Sequence, residues 1–235
     1  MSLFHALQTK ISFWLHHPGI RLYGSNIFWL FLEKFVRIFL GFGVGVLVAR
    51  GLGPEGYGEL NYVISLGTVL FGLGGLGLEA VAVREIVRTP TQEGLVLGCV
   101  FGLRSCCIFS FLLLGGAGIW LLAKDDAHLS VYLLVAIGFF FQGLQVWDFY
   151  FQAKSLNQYM IWAQLGALLI GAGGRIWGVL NGCGILYFAW MEAVMLVGSA
   201  VLSAIFFRLQ GKDKFRWAWN LSLIHISEPT RQEAI

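Results

Sequence analysis

Charge is what this sequence has least of. Only 12% of its 235 residues are Asp, Glu, Lys or Arg, against about 25% in soluble domains. With 57% apolar residues and a mean hydropathy of +0.74, a soluble globule would lack the polar surface to cover itself. Disorder needs the opposite composition and is excluded by the same numbers. Net charge is +3, from scattered basic residues, which excludes a nucleic-acid-binding surface. Cysteine is scarce: Cys99, Cys106, Cys107 and Cys183 show no C-x-x-C spacing and lie in apolar runs, as packing thiols do. His16 and His17 have no neighbouring cysteine or carboxylate, so no metal site is expected. No H-E-x-x-H, G-x-S-x-G or G-x-x-x-x-G-K-[ST] occurs, so the chain carries no visible hydrolase or ATPase motif. No catalytic residue, metal or cofactor is expected. The first 25 residues lack a small-residue cleavage site, which argues against a cleavable signal peptide.

Long apolar runs are what the sequence does have. Six stretches, at about 27–49, 60–83, 95–122, 131–151, 159–180 and 185–207, are each long enough to cross about 30 Å of hydrocarbon as a helix. The fold class is therefore all-α, a polytopic membrane protein whose six transmembrane helices form one lobe at residues 26–220. Residues 1–25 read as a cytoplasmic or interfacial arm. Within it Leu3, Leu7, Ile11, Trp14 and Leu15 recur at helical spacing until Pro18 ends the pattern. Thr89-Pro90-Thr91-Gln92 carries a capping Thr, Pro at the first helical position and Gln at the third, so the third helix starts there. Gly53-Pro54 makes a sharp turn between the first two spans. With the N-terminus in the cytoplasm, nine Lys and Arg fall on the cytoplasmic side (Lys10, Arg21, Arg84, Arg88, Lys154, Arg208, Lys212, Lys214, Arg216) and two opposite, Arg50 and Lys124. That asymmetry sets the orientation. The glycine runs Gly41–Gly45 and Gly72–Gly77 lie inside spans and not after strands, so they suit close or bendable helices and not a dinucleotide.

The few charges inside the spans carry the functional signal, because a charge at membrane depth is costly and normally faces a partner helix or a wet cavity. Glu33, Lys34 and Arg37 share a face of the first span, continued by Gly41 and Gly45. Arg104 lies about 20 Å beyond Pro90 along the third helix. Gln142, Gln145, Asp148 and Gln152 form a stripe on the fourth, Gln164, Gly171 and Arg175 on the fifth, and Glu192, Ser199 and Ser203 on the sixth. Simple pairing accounts for some of these: Glu33 with Arg37 at i,i+4, Arg104 with Asp148, Arg175 with Glu192. Polar stripes on five spans exceed what holding helices together requires, so part of the set is expected to line a hydrated cavity. Its slight positive excess suits a phosphate or diphosphate head group.

The stretch Trp29-Leu-Phe-Leu-Glu-Lys-Phe-Val-Arg37, followed by Val48-Ala-Arg-Gly-Leu-Gly-Pro-Glu-Gly-Tyr-Gly58, resembles the start of the polysaccharide-biosynthesis, O-antigen-type flippases of the multidrug/oligosaccharidyl-lipid/polysaccharide exporter superfamily. Ala49, Arg50, Leu52, Gly53, Pro54, Glu55, Tyr57 and Gly58 match the pattern A-R-x-L-G-P-E-x-[YF]-G. Gly75–Glu85 and Asp148–Gln152 resemble the second- and fourth-helix endings of that family and Tyr187–Trp190 a segment of its sixth helix, and the resemblance runs from about Asn26 to Trp219. The resemblance implies one lobe of a two-lobe transporter in the bacterial inner membrane. Such a protein would move undecaprenyl-diphosphate-linked oligosaccharide for lipopolysaccharide or other surface polysaccharide by alternating access, breaking no covalent bond. The implied partners are that lipid-linked glycan, membrane lipids and a C-terminal lobe. The candidate cationic cavity is Lys34, Arg37, Arg50, Arg104 and Arg175. Glu33, Asp148 and Glu192 are the candidate ion-coupling groups or charge partners. Arg37 and Arg50 fall in family-like motifs, and Arg104 and Arg175 rest on depth alone.

Residues 221–235, beginning Leu221-Ser-Leu-Ile-His-Ile-Ser-Glu-Pro-Thr-Arg231, read as in-frame translation of a sequencing adapter, so the natural sequence is expected to be a fragment. The alternatives are a drug or amphiphile exporter of the same superfamily, a membrane-bound glycan polymerase or ligase, and a non-catalytic scaffold. Polymerases usually present large outward loops, and those around Pro54, Asp125 and Asn181 are short. Orientation is directly measurable. Reporter fusions after Arg88 and after Lys154 are expected to report cytoplasm, and a fusion at Lys124 the opposite side; the reverse pattern overturns the assignment.

Overall fold

The computed structural model describes residues 18–75, 77–122 and 126–210. Of the arm expected at residues 1–25, residues 1–17 lie outside the described residues, as does the tail at 221–235, while residues 18–25 belong to the first helix. The described chain is helical throughout and holds no strand. Helix α1 spans Pro18–Gly75, α2 Leu78–Arg88, α3 Glu93–Leu122, α4 Asp126–Gly143, α5 Trp147–Ala153, α6 Asn157–Leu180 and α7 Ile185–Leu209, with a 3₁₀ turn at Pro90–Gln92. Pro18 opens α1, where its fixed φ and missing N–H fit a first helical position.

The apolar part of α1, Trp29–Leu73, is 45 residues long, or about 67 Å of helix, twice the thickness of a bilayer core. It divides at Gly53 (φ 73°, ψ 174°), a backbone conformation that glycine adopts without the Cβ clash other residues meet. Pro54 then starts the second limb. The limbs fold back on each other: the Tyr57 hydroxyl sits 3.3 Å from where a Cβ on Gly45 would be, although a continuous helix would separate them by about 18 Å. The Gly53–Pro54 turn is therefore where the sequence places it. With the four further apolar helices at Pro90–Leu121, His128–Ala153, Asn157–Leu180 and Ile185–Leu209, the described residues make six passes.

Three boundaries differ from the sequence reading. The second span stops at Gly75 and not near Val83, because Gly77 (φ 74°) breaks the helix before α2. Helix α2 is amphipathic, burying Ala82 and Ile86 while Arg84 and Arg88 are exposed. Thr89 does not cap α3 with its side chain. Its hydroxyl donates to the Glu85 carbonyl at 2.8 Å and so closes the end of α2. The fourth span is two helices, α4 and α5, separated at residues 144–146.

The helices form a closed ring. The first limb packs on α6, α6 on α7, α7 on α4, α4 on α3, and α3 on the second limb. One core cluster gathers around Tyr132, Phe139 and Phe188, the other around Phe149, Phe151 and Phe207. Between apolar helices in lipid, association rests on close packing and not on water exclusion, and glycines supply it. A Cβ on Gly138 would lie 2.9 Å from the Ala193 Cα, and one on Gly178 would overlap the Tyr187 ring. In the runs singled out from sequence, Gly45 closes on the Tyr57 hydroxyl, while Gly41, Gly43, Gly72 and Gly75 meet nothing within 4 Å.

Gly138→Ala is expected to lower stability by about 1–3 kcal/mol through overpacking against backbone, while Gly43→Ala leaves it unchanged or raises it by up to about 1 kcal/mol through helix propensity. Thermal unfolding in detergent compares the two, and equal effects would remove the close-packing assignment.

Candidate functional site

The first limb brings Glu33 inward with its side chain only 3% exposed, while Lys34 is 69% exposed. One turn on, Arg37 Nε donates to Glu33 Oε1 at 2.5 Å, the i,i+4 pair the spacing suggests. Lys34 Nζ lies 3.5 Å from the other Glu33 oxygen. The network then crosses helices. Arg37 Nη2 donates to Gln164 Oε1 on α6 at 3.1 Å, and Gln164 Nε2 donates to Asp148 Oδ2 on α5 at 3.2 Å. Gln145 Nε2 donates to the same oxygen at 2.8 Å, and the Ser203 hydroxyl of α7 donates to Asp148 Oδ1. Ser199 Oγ donates to Gln145 Oε1 at 3.3 Å.

Asp148 and Gln145 sit where the fourth span breaks. At that break Leu144 N–H donates to Phe141 O at 3.1 Å and Gln145 N–H to Gln142 O at 3.1 Å, shorter-range bonds than the α-helical ladder. Such a break at membrane depth is tolerated only when buried in protein or facing a cavity. Both conditions hold: Gln145, Val146 and Asp148 are buried, and a cavity of about 280 Å³ opens beside them. Its polar lining is Lys34, Arg37, Gln142, Gln145, Gln164 and Ser199. It offers two cations, three amides and a hydroxyl, a set able to hold an anion and to hydrogen-bond neighbouring hydroxyls.

The other candidate residues are elsewhere. Arg50 is exposed, about 20 Å along the first limb from Arg37. Arg104 does not form the expected ion pair with Asp148. Its Cζ lies over two rings, 5.2 Å from the centroid of Phe71 and 5.0 Å from that of Phe149. Its Nε is buried without a hydrogen-bond partner among the described residues, and Glu79 and Asp148 are within electrostatic reach. Cation–π contact with the two rings stands where a carboxylate was expected. Arg175 donates to Glu192 as expected, with Tyr57 within electrostatic reach. This pair lies about 16 Å along α6 from Gln164, so it is a separate lock and not part of the cavity. Sequence reasoning missed the break at 144–146, for which low helix propensity at Gly143 was the sole signal. It also missed the long-range contacts Gln152–Glu79, Lys154–Glu93 and Glu59–His128, which no spacing encodes.

A family model described as polysaccharide biosynthesis protein matches residues 23–223. The chain belongs to the polysaccharide biosynthesis protein family. No curated protein and no solved structure matches it. Every residue of the cavity lies inside the family match. Family membership and the apolar helices together make the chain a multi-pass membrane protein concerned with polysaccharide synthesis or export.

In this family member the Arg175–Glu192 lock is testable apart from function. Arg175→Ala leaves Glu192 buried and unpaired and is expected to cost about 3–5 kcal/mol. Pairing it with Glu192→Ala should recover most of that loss in a double-mutant cycle of thermal stability; strictly additive losses would show that the pair does not interact.

Proposed function

We propose that this chain forms one lobe of a transporter that flips undecaprenyl-diphosphate-linked oligosaccharide from the inner to the outer leaflet of the bacterial inner membrane. It works as a translocator and not as an enzyme, with its N-terminus in the cytoplasm. One observation carries the reading: within a polysaccharide-biosynthesis family member, Lys34 and Arg37 meet three glutamines and Ser199 around one cavity inside the membrane. Lys34 and Arg37, which share the single carboxylate of Glu33, suit a diphosphate, and amides and a hydroxyl beside them suit the first sugar. The rest of the glycan, too large for about 280 Å³, would lie against the second lobe. Rocking of the two lobes about this site would alternate its access.

Asp148 is the candidate coupling group. Glu33 and Glu192 each have a basic partner within 4 Å, whereas the carboxylate of Asp148 is held by neutral donors alone. Uptake of a cation or proton there would act on Arg37 through the shared Gln164.

Lys34 is mostly exposed, so Lys34→Ala should leave the fold intact. In the protein with its second lobe restored, Lys34→Ala and Arg37→Ala are expected to lower complementation of a flippase-deficient strain at least about tenfold, an amount in keeping with the loss of one charge-assisted contact. Lipid-linked glycan should accumulate in the inner leaflet. Arg104→Ala should instead lower the amount of protein in the membrane. Full complementation by both cavity variants at normal abundance would overturn the assignment, and altered drug sensitivity without glycan accumulation would favour the amphiphile exporter.

A further inference from the structure

Three amides line the Arg37 cavity, and the fold uses them unequally. Gln145 is engaged at both ends: Nε2 donates to Asp148 at 2.8 Å, and Oε1 accepts from Ser199 at 3.3 Å. Gln164 is also engaged at both ends, accepting from Arg37 at 3.1 Å and donating to Asp148 at 3.2 Å. The Ser199 hydroxyl, besides facing Gln145, donates to the Leu196 carbonyl at 2.8 Å. These groups are oriented by the protein and shape the wall. Gln142 is different. It lines the same cavity, is half-buried, and its side-chain amide makes no hydrogen bond within the described residues.

The backbone sets the place of that amide. Gln142 belongs to the last turn of α4, which ends at Gly143, and its carbonyl accepts the Gln145 N–H at 3.1 Å. Gly143 is pressed against Ile108 of α3, where a Cβ would overlap the isoleucine side chain. The end of α4 is thereby held while the Gln142 amide stays open to the cavity. A polar group left open inside a membrane-spanning segment is costly unless water or a ligand takes it.

The chemistry of the amide narrows the ligand. A carboxamide carries an acceptor oxygen and a two-donor nitrogen, side by side on one edge. Two neighbouring hydroxyls of a sugar ring match that edge, one donating to Oε1 and the other accepting from Nε2. Either orientation of the amide serves equally. Arg37 keeps N–H donors beyond those given to Glu33 and Gln164, and Lys34 approaches Glu33 only to 3.5 Å, so the same cavity has donors for a phosphate. Its volume of about 280 Å³ lies at the lower edge of small-ligand sites, about 300–1,000 Å³, which suits one ring and its phosphate. We propose that Gln142 is the specificity-determining residue of this cavity and reads the vicinal hydroxyls of a sugar 1-phosphate whose phosphate rests on Lys34 and Arg37. The pair in question is on carbons 2 and 3, the nearest to the phosphate-bearing carbon. This inference rests on the transport reading above, which supplies the sugar.

The test compares ligands that share the phosphate and differ in one hydroxyl. The purified 235-residue chain is titrated in detergent with glucose 1-phosphate, 2-deoxyglucose 1-phosphate or inorganic phosphate, and affinities are read by ligand-observed NMR. Glucose 1-phosphate is expected to bind about tenfold more tightly than the deoxy sugar, because the deoxy sugar leaves one end of the amide unpaired. Gln142→Leu, close in size and apolar, should bring glucose 1-phosphate to the level of the deoxy sugar and leave inorganic phosphate unchanged. Arg37→Ala should weaken all three ligands. Equal affinities of the two sugars on the unmodified chain, a discrimination that survives Gln142→Leu, or a parallel loss of inorganic phosphate in that variant would overturn the proposal. Should none of the three ligands bind, the anion cavity itself falls and the role of Gln142 with it. Should phosphate bind without any distinction between the sugars, the role of Gln142 alone falls. If Gln142→Leu fails to fold, the comparison of sugars on the unmodified chain decides.

Discussion

A charge in hydrocarbon costs several kcal/mol unless a partner takes it up, and the bundle is arranged around that requirement. Glu33 is buried on a limb whose other faces are largely exposed. It is stable there because Arg37 closes on it one turn later. Arg37 in turn draws Gln164 toward the first limb, and Gln164 ties α6 to Asp148 on α5, where Ser203 brings in α7. One hydrogen-bonded chain therefore joins four segments that apolar contacts alone would leave free to slide. The same network frames the cavity, so the residues that hold the helices in register are also those that would meet an anion.

Packing supplies the rest. In lipid there is little gain from hiding apolar surface, so helices must approach closely enough for dispersion and backbone contact to count. Gly138 against Ala193 and Gly178 against Tyr187 show that approach. Other glycines have nothing near them, among them Gly41 and Gly43 on the lightly covered first limb. Where the ladder of hydrogen bonds fails, at residues 144–146, the freed groups are kept within protein next to buried Gln145 and Asp148. A broken helix beside a polar cavity couples local backbone freedom to whatever occupies that cavity.

Much of the fold was legible from the chain itself. Apolar run length gave six passes, Gly53-Pro54 gave the first turn, and helical spacing gave Glu33 with Arg37. Arg175 and Glu192 were paired correctly because each was the one charge deep in its span. The same reasoning failed for Arg104 and Asp148: two rings, Phe71 and Phe149, lie against the guanidinium, and aromatic residues are too common here to flag such a role. Thr89 misled for a related reason, since its hydroxyl serves the helix before it and not the one after. Of the five basic residues assigned to the cavity from sequence, the fold brings Lys34 and Arg37 there.

The sequence by itself determined that this chain crosses a membrane, how often, and which of its charges must be reconciled with hydrocarbon. These follow from length, period and hydration cost, all local properties. Tertiary structure decided which charges meet. Distances across helices depend on rotation and tilt, which glycine contacts and the break at 144–146 set. That is why Asp148 faces Gln164 and Ser203 in place of Arg104, and why Glu59 finds His128 across 69 residues.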